Sequence, residues 1–437
     1  MRRLLIAVGI SVAIGCGLDV AGSLDPAVAS STDAGPEGSA MLPDLDLDLD
    51  ASTDGAPDAA DIDGAADAAS LDAEAMRPDA GVTFVPSHIL PVYSLTAANV
   101  MLSRDTVVDT TAQTVQDSTQ VAPVPLMNMK TSNGIAIWSV GAFTLQSGTR
   151  LTVKGSQPLV VVASSTVEID GHIDASGSDT TPGPGGFAAA SGTGKGLDGV
   201  KTGGNASGAG GGGNATIGGS GGTKMSVAGG LGGPAENASG VKLVGGSGGG
   251  NGGGFPTASC SDPTRGRGGV GGGAIQFSAV GGISITGTFD LGGGGGSGGC
   301  ADNGSANDYR GGGGGGAAGM LVFESATSIQ VNSFAEIVAA GGGGGEGGES
   351  NGNGVDGFAG PAVPASTAVG GVGSGGNGGN GGQASNGSAF APFGGLGNES
   401  AGGGGGSAGR VFFGTRGAAP IIVAGSTIAA LRFDFAF

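Results

Sequence analysis

Apolar and polar positions alternate with a period of two along several stretches of the chain. The clearest stretch is VEIDGHIDA at residues 167–175, where odd-numbered positions are apolar or glycine and even-numbered positions are charged or histidine. Successive side chains of a β-strand point to opposite faces of its sheet. The pattern therefore predicts short strands with one apolar and one polar face. The polar positions are Glu168, Asp170, His172 and Asp174.

This pattern recurs further along the chain. Its second copy aligns Ile283 with Val167, Ile285 with Ile169, Gly287 with Gly171 and Phe289 with Ile173. A third copy at 320–340 aligns Ile329 and Val331, and a weaker fourth covers 409–433. Copies that keep one apolar face at variable spacing predict stacked β coils whose loops differ in length.

We therefore expect an all-β protein whose core is a parallel β-helix or a related β-solenoid with long glycine-rich loop excursions. A β-sandwich is the alternative, since period-two patterning does not determine strand direction. Before this body, residues 81–134 are rich in Val, Thr, Ser, Ile and Leu and predict a β-rich entry module or cap. The body itself is expected to span residues 135–437.

Glycine dominates the segments between the strand copies. The chain has 103 glycines in 437 residues, concentrated in tracts at about 177–273, 292–319 and 341–409. Two interpretations remain open: flexible linkers, or a sheaf of polyproline-II-like chains joined by N–H and Cα–H donors. Isolated apolar residues in the tracts favour order, because they could attach the loops to the body. They are Phe187, Leu197, Leu231, Phe255, Phe358, Phe390 and Phe393.

The N-terminus has the pattern of an export signal. MRRLLIAVGISVAIGCG begins with two arginines, continues with an apolar run too short to span a bilayer, and ends in small residues around Cys16. It resembles a bacterial lipoprotein signal at residues 1–15, which implies that Cys16 becomes the lipid-modified first residue of the mature chain. By the same analogy, Gly17 after the cysteine favours the outer membrane. Ordinary signal cleavage with an incidental Cys16 is the alternative.

Residues 16–80 form an Asp- and Ala-rich segment. Residues 1–80 contain 16 of the 36 acidic residues of the chain and only three basic ones. Low hydrophobicity combined with charges of one sign predicts a disordered, extended stalk. The remainder of the chain is not basic, which argues against a nucleic-acid partner.

The residues with chemistry to offer are few. After Cys16, only Cys260 and Cys300 remain, and in an exported protein this pair predicts a disulfide, with two free thiols as the alternative. His88 and His172 are the only histidines, and both are expected to lie at the solvated surface. No motif of a nucleophilic hydrolase, a phosphate-binding loop or a metal site is present, so we predict neither cofactor nor metal.

Two alternatives to a passive protein remain. Glu168, Asp170, Asp174 and the aligned Asp290 could supply a carboxylate pair for glycoside cleavage, although almost any acidic strand would fit this requirement. Aromatic platforms for sugar binding are scarce, because Trp138 is the one tryptophan and Tyr93 and Tyr309 are the only tyrosines.

The strand copy followed by PGPGG, and the later strand copies between glycine tracts, resemble a family of glycine-rich bacterial surface lipoproteins. The likeness spans about 135–437 together with the anchor and stalk. The resemblance implies a surface location and a β-solenoid-like fold, and it implies no particular activity. We therefore expect a non-catalytic, lipid-anchored cell-surface protein with a structural, adhesive or matrix-contacting role. The alternatives are a carbohydrate-binding module and a polysaccharide-cleaving enzyme, and the expected partners are a membrane and extracellular polysaccharide.

Overall fold

The computed structural model describes residues 84–89, 97–236, 242–255, 262–300, 309–349, 352–362, 366–382, 394–395, 400–416 and 418–436. All of them belong to the compact unit Ala73–Phe437. Within these ranges the protein is all-β, with 23 strands and no helix. The signal, the acidic stalk and Cys16 lie outside the described residues, so the expectations for them remain predictions.

Three long sheets contain most of the strands. The six-stranded sheet has, in spatial order, β1 (Val100–Leu102), β7 (Phe143–Leu145), β10 (Val167–Ile169), β15 (Ile283–Ile285), β18 (Ile329–Val331) and β21 (Ile421–Ile422). The eight-stranded sheet has β22 (Thr427–Ala429), β19 (Glu336–Val338), β16 (Thr288–Asp290), β11 (His172–Asp174), β8 (Arg150–Lys154), β2 (Thr106–Asp109), β3 (Thr114–Asp117) and β4 (Val124–Pro125). The seven-stranded sheet has β23 (Leu431–Ala436), β20 (Arg410–Thr415), β17 (Met320–Ser325), β14 (Ala274–Ala279), β9 (Leu159–Ala163), β6 (Ile135–Val140) and β5 (Met129–Ser132). A separate two-stranded sheet joins β12 (Lys201–Thr202) and β13 (Asn205–Ala206).

The chain visits the three long sheets in a fixed order. From β9 onward, each pass adds one strand to the seven-stranded, then the six-stranded, then the eight-stranded sheet. Every strand of a pass pairs in parallel with its counterpart in the next pass. Strand direction, which the alternating pattern left open, is thus parallel in the repeated part of the fold.

The register between passes is the one that the sequence alignment predicts. Val167 pairs with Ile283, and Ile283 pairs with Ile329. In the eight-stranded sheet, Ile173 pairs with Phe289. A shift of one residue would have moved every apolar side chain to the opposite face, so the apolar pattern is sufficient to specify the pairing.

Apolar side chains from all three sheets form one core cluster. Within it, the rings of Phe277 and Phe323 stack with centroids 5.9 Å apart, and those of Phe323 and Phe413 stack at 5.5 Å. Burying a phenylalanine contributes about 1.5–3 kcal/mol. The ladder of rings therefore joins successive passes along the core as well as across it.

The strands before residue 135 extend the same sheets. β1 and β2 pair in parallel with β7 and β8, whereas β3, β4 and β5 are antiparallel to their neighbours. The turn between β5 and β6 is Asn133–Gly134, with φ of 51° and 76°. Positive φ at both central residues is typical of a type I′ hairpin turn. The parallel stack thus begins beside a group of antiparallel strands.

The described glycine tracts are ordered as a sheaf, which decides against flexible linkers. Tract 311–319 shows the arrangement, because every third N–H donates to the same neighbouring segment. The donors are Gly311, Gly314 and Ala317 to segment 247–253, Gly312, Gly315 and Ala318 to segment 401–407, and Gly313, Gly316 and Gly319 to segment 291–297, all at 2.8–3.0 Å. A period of three without positive φ is that of a polyproline-II helix.

The carbonyl groups of the same tract accept from three further segments. The donors are Ala209 and Gly212, Gly269 and Gly272, and Gly342 and Gly345, at 2.8–3.0 Å. The tract is thus surrounded by six segments of the same chain, and its N–H groups and the carbonyl groups of 312–317 are paired although it is buried. This pairing removes the cost of burying unpaired peptide groups.

Close packing explains why these positions are glycine. A Cβ atom on Gly314 would lie 2.0 Å from the Gly210 carbonyl oxygen, and one on Gly316 would lie 1.9 Å from that of Val270. A hydrogen atom points at each of these oxygens instead, in the manner of a Cα–H···O contact. The expectation that apolar inserts attach the tracts to the body is wrong for Leu197, Leu231 and Phe358, which are exposed. Phe390 and Phe393 lie outside the described residues.

Candidate functional site

The outer face of the eight-stranded sheet contains the densest group of predicted polar residues. Parallel pairing places Arg150, His172 and Thr288 in one row across three strands. The neighbouring row contains Asp174 directly beside Asp290. The alignment of these two aspartates is therefore confirmed, and the fold brings an imidazole and a guanidinium to the same surface.

His172 is half-buried between its neighbours in the row. Its Nδ1 lies 2.5 Å from the Thr288 hydroxyl, and no hydrogen-bond partner of Nε2 exists among the described residues. Burial and the nearby charge of Arg150 lower the pKa of His172, which the charge of Asp174 partly offsets. The ring is thus neutral at pH 7 and has an interstrand contact, where the sequence predicted a solvated side chain.

The two aspartates differ in their protonation. Burial would raise the pKa of Asp174, but hydrogen bonds from Arg150 and Ser176, with the Arg150 charge, hold it below 3.8. Asp290 is 7% exposed, and burial raises its pKa to about 6, helped by the charge of Asp174 and opposed by the hydrogen bond from Gly292 N–H. One carboxylate and one carboxylic acid therefore lie side by side below pH 6.

The surface beside this row is a shallow depression of about 420 Å³. Asp105, Arg150, Asp170, His172 and Thr288 are among its lining residues, whereas Asp174 and Asp290 do not line it. Asp105 accepts the Arg150 N–H at 2.8 Å, and Arg150 donates to Asp174 at 2.5 Å. The carboxyl pair with opposed pKa shifts is thus not part of the lining of the open depression.

Other predicted residues lie elsewhere. Glu168 lies on the six-stranded sheet and is exposed, so it does not join the aspartate pair. Trp138 is only 3% exposed and packs in the core, which excludes it as a sugar platform. Tyr93 lies outside the described residues.

Cys300 is buried and disulfide-bonded. Cys260 lies outside the described residues, so the pairing of Cys260 with Cys300 remains a prediction.

A second polar cluster was not predicted. Glu324 is 1% exposed on the outer face of the seven-stranded sheet, and its carboxylate accepts from Ser87 N–H at 2.9 Å and from the Ser87 hydroxyl. It also accepts from Gln276 Nε2 at 2.8 Å and from the Ser278 hydroxyl at 3.2 Å. Four donors around one carboxylate fix segment 84–89 against the sheet.

His88 belongs to this cluster as well. It is half-buried, with Nδ1 2.8 Å from Gln276 Oε1, so its ring has a protein partner that the sequence did not predict. The sequence signal was the presence of polar residues in the strands AIQFSA and MLVFES, which are otherwise apolar on both faces. Such residues indicate a polar partner outside the sheet.

No group of three or more His, Cys, Asp or Glu side chains with metal-binding geometry occurs in the described ranges. Among the same residues, no helix is both long and apolar enough to cross a bilayer. Comparison with protein-family models, with curated proteins and with solved structures finds no match to this chain.

Proposed function

We propose that the protein is a non-catalytic, lipid-anchored cell-surface protein whose rigid body has a structural, adhesive or matrix-contacting role. The observation that carries the proposal is the glycine sheaf. A large part of the chain builds a hydrogen-bonded mass in which the backbone groups of a buried tract are paired with six neighbouring segments. Material used in this way provides shape and stiffness.

We also propose that the three long sheets are the sides of one β-solenoid, from which the glycine tracts project. The fixed order in which the chain visits the sheets supports this, as does the parallel register between passes. Repeat stacks of this kind present long, regular surfaces, which suits a protein that contacts an extended matrix.

The polar groups of the eight-stranded sheet support a passive role. Asp174 is engaged by Arg150 and Ser176, Asp290 is buried, and the His172 ring contacts Thr288. A general acid or base must reach the substrate proton within hydrogen-bond distance. Asp174 and His172 instead contact side chains of neighbouring strands, and Asp290 accepts from Gly292 N–H in its own segment, so a polysaccharide-cleaving reaction is the weaker proposal.

The anchor is tested by fractionation. We propose export, with Cys16 as the lipidated residue, at the outer membrane or cell surface of a Gram-negative bacterium. The full chain with Cys16→Ser should leave the membrane fraction and lose incorporation of a labelled fatty acid. The matched control is Cys300→Ser, which should remain membrane-bound. Unchanged fractionation of Cys16→Ser contradicts the anchor.

Carbohydrate binding is the second candidate, because the depression beside Arg150 has hydrogen-bonding groups of both kinds. Asp170 is exposed and lines it, so Asp170→Asn should weaken binding of a neutral surface polysaccharide without loss of stability. Glu168→Gln, an exposed change on the six-stranded sheet, is the control. Calorimetry measures the affinity for the polysaccharide. If both variants bind it as tightly as the wild type does, the depression beside Arg150 is not the binding site.

A further inference from the structure

The last strand of the seven-stranded sheet leaves one side of the sheet open. β23 pairs in parallel with β20 and stands first in the strand order, so no strand in the described part of the chain pairs with its other edge. An exposed strand edge with unpaired peptide groups is a template for another strand. At six residues, β23 is as long as β14, β17 and β20.

The side chains of β23 divide into two sets. Arg432 is in register with Val411, and Asp434 with Phe413. Since Val411 and Phe413 belong to the core, Arg432 and Asp434 face the core side, where the next apolar residues would be expected. Both are exposed, they form a bidentate pair with each other at 2.8 and 2.5 Å, and the guanidinium lies 5.5 Å from the Phe413 ring centroid.

The apolar residues around this end of the core are only partly covered. Ile422 and Ile428 pack against the core but remain partly exposed. On the outer face of β23, Phe433 stacks on Phe412 with ring centroids 4.9 Å apart. The end of the stack is therefore an apolar surface with one cation and one anion at defined positions.

The backbone orientation of β23 is also defined. Leu431 N–H donates to the Gly409 carbonyl oxygen at 3.0 Å, on the β20 side. Peptide groups of successive residues in a strand point alternately to its two sides. The N–H and C=O groups of Arg432 and Asp434 therefore point to the open edge.

We propose that this edge binds the same edge of a second copy of the chain, with the two β23 strands antiparallel about a two-fold axis at Phe433. In this register Arg432 lies opposite Asp434 of the second copy, and Asp434 opposite Arg432 of the second copy. These are the residues whose peptide groups point outward, so each pair also exchanges backbone hydrogen bonds. Opposite charges face each other twice, and Phe433 meets its own counterpart beside the Phe412 ring.

The symmetry of the charge pattern is what favours a second copy over another partner. A two-fold interface requires a surface that is complementary to itself, and a cation and an anion equidistant from Phe433 satisfy this condition. Antiparallel pairing about the axis opposes residues 431–435 of the two strands and leaves Ala436 beyond the paired stretch. The contact occupies the open edge of β23 in both copies, so it joins two copies.

Charge reversal tests the proposal with the full-length chain. Arg432→Asp places two carboxylates on the strand, and Asp434→Arg places two guanidinium groups there. Each variant alone faces like charges, so dimerisation should weaken on the order of a hundredfold, as measured by sedimentation. An equimolar mixture of the two variants should form a one-to-one dimer, and the doubly reversed variant should dimerise like the wild type.

Restored pairing in the mixture cannot arise from the ion pair within one strand, because neither variant contains it. Circular dichroism establishes that both variants are folded. The proposal is overturned if the wild type is monomeric at micromolar concentration or if the mixture stays monomeric. It is equally overturned if a variant with valine at both positions 432 and 434 associates while the wild type does not. In that case the Arg432–Asp434 pair would prevent pairing at the open edge of β23.

Discussion

Asp174 and Asp290 are direct neighbours on adjacent parallel strands, yet their pKa values move in opposite directions. Arg150 and Ser176 stabilise the charge of Asp174, whereas Asp290 is buried beside that charge with one hydrogen bond from Gly292. The pair therefore titrates as two distinct groups, and its effect on stability depends on pH.

Asp290→Asn should make the stability of the protein less dependent on pH between about 4 and about 6. The pKa of Asp290 is higher in the folded chain, at about 6, than its ordinary 3.8. The wild type therefore loses stability as pH rises from about 4 to about 6 and remains lower above this window, by about 3 kcal/mol for this gap. Asn keeps an oxygen for Gly292, so the variant should unfold at a higher temperature than the wild type at neutral pH. Thermal unfolding across this pH range measures the difference.

The exposed Asp170→Asn is the matched control, and it should leave the pH profile unchanged. A wild-type profile that is flat between pH 4 and pH 6 would contradict the raised pKa of Asp290.

Gly314→Ala should disrupt the sheaf. Its Cβ would lie 2.0 Å from the Gly210 carbonyl oxygen, in backbone that has no room to move. The expected loss is at the upper end of single-substitution effects, about 3 kcal/mol or more. Gly352→Ala is the control, since a Cβ there meets nothing within 4 Å and φ is not positive. Similar unfolding midpoints in denaturant for the two variants would show that the sheaf is loosely packed.

Hydrogen exchange should separate an ordered sheaf from mobile linkers without any substitution. The N–H groups of Gly313, Gly314 and Gly315 donate to three different segments of the chain. Their exchange therefore requires that the tract separates from several segments at once. We expect the amide groups of the tract to be protected from exchange about as strongly as those of β17. Mass spectrometry of peptides from 309–319 measures this protection. Complete exchange within seconds would be the behaviour of a flexible linker.

Glu324→Leu should release segment 84–89 from the sheet. Leucine has no acceptor, so Ser87 N–H and Gln276 Nε2 would lose their partner, which leaves buried donors unpaired at about 1–3 kcal/mol. Amide exchange at Ser87 should rise while exchange in the core strands stays the same. The exposed Glu168→Gln serves as control, and unaltered exchange at Ser87 would mean that the cluster does not retain the segment.

The strand copies were predictable because their signal is local. In the stretch from Val167 to Ile173, alternation defines the face of each strand, and burial of that face then selects the register with Ile283 and Phe289. The candidate surface was predictable in part for the same reason. Asp174 and Asp290 occupy equivalent positions of two copies, so their proximity followed from the alignment.

The remaining contacts depend on distant parts of the chain. Arg150 lies beside His172 on a strand outside the aligned copies, and Ser87 meets Glu324 across 237 positions. No periodicity relates such pairs, so alternation could not reveal them. The exposure of Leu197 and Phe358 likewise depends on which chains surround each tract.

By itself, the sequence determined the all-β class, the polarity of each strand face and the register of the repeats, because period-two burial is a property of neighbouring residues. Only the tertiary structure decided strand direction and the state of the glycine tracts. A glycine has no side chain whose polarity could indicate its neighbours. The order of a glycine tract such as 311–319 therefore depends on the six segments that contact its N–H, C=O and Cα–H groups.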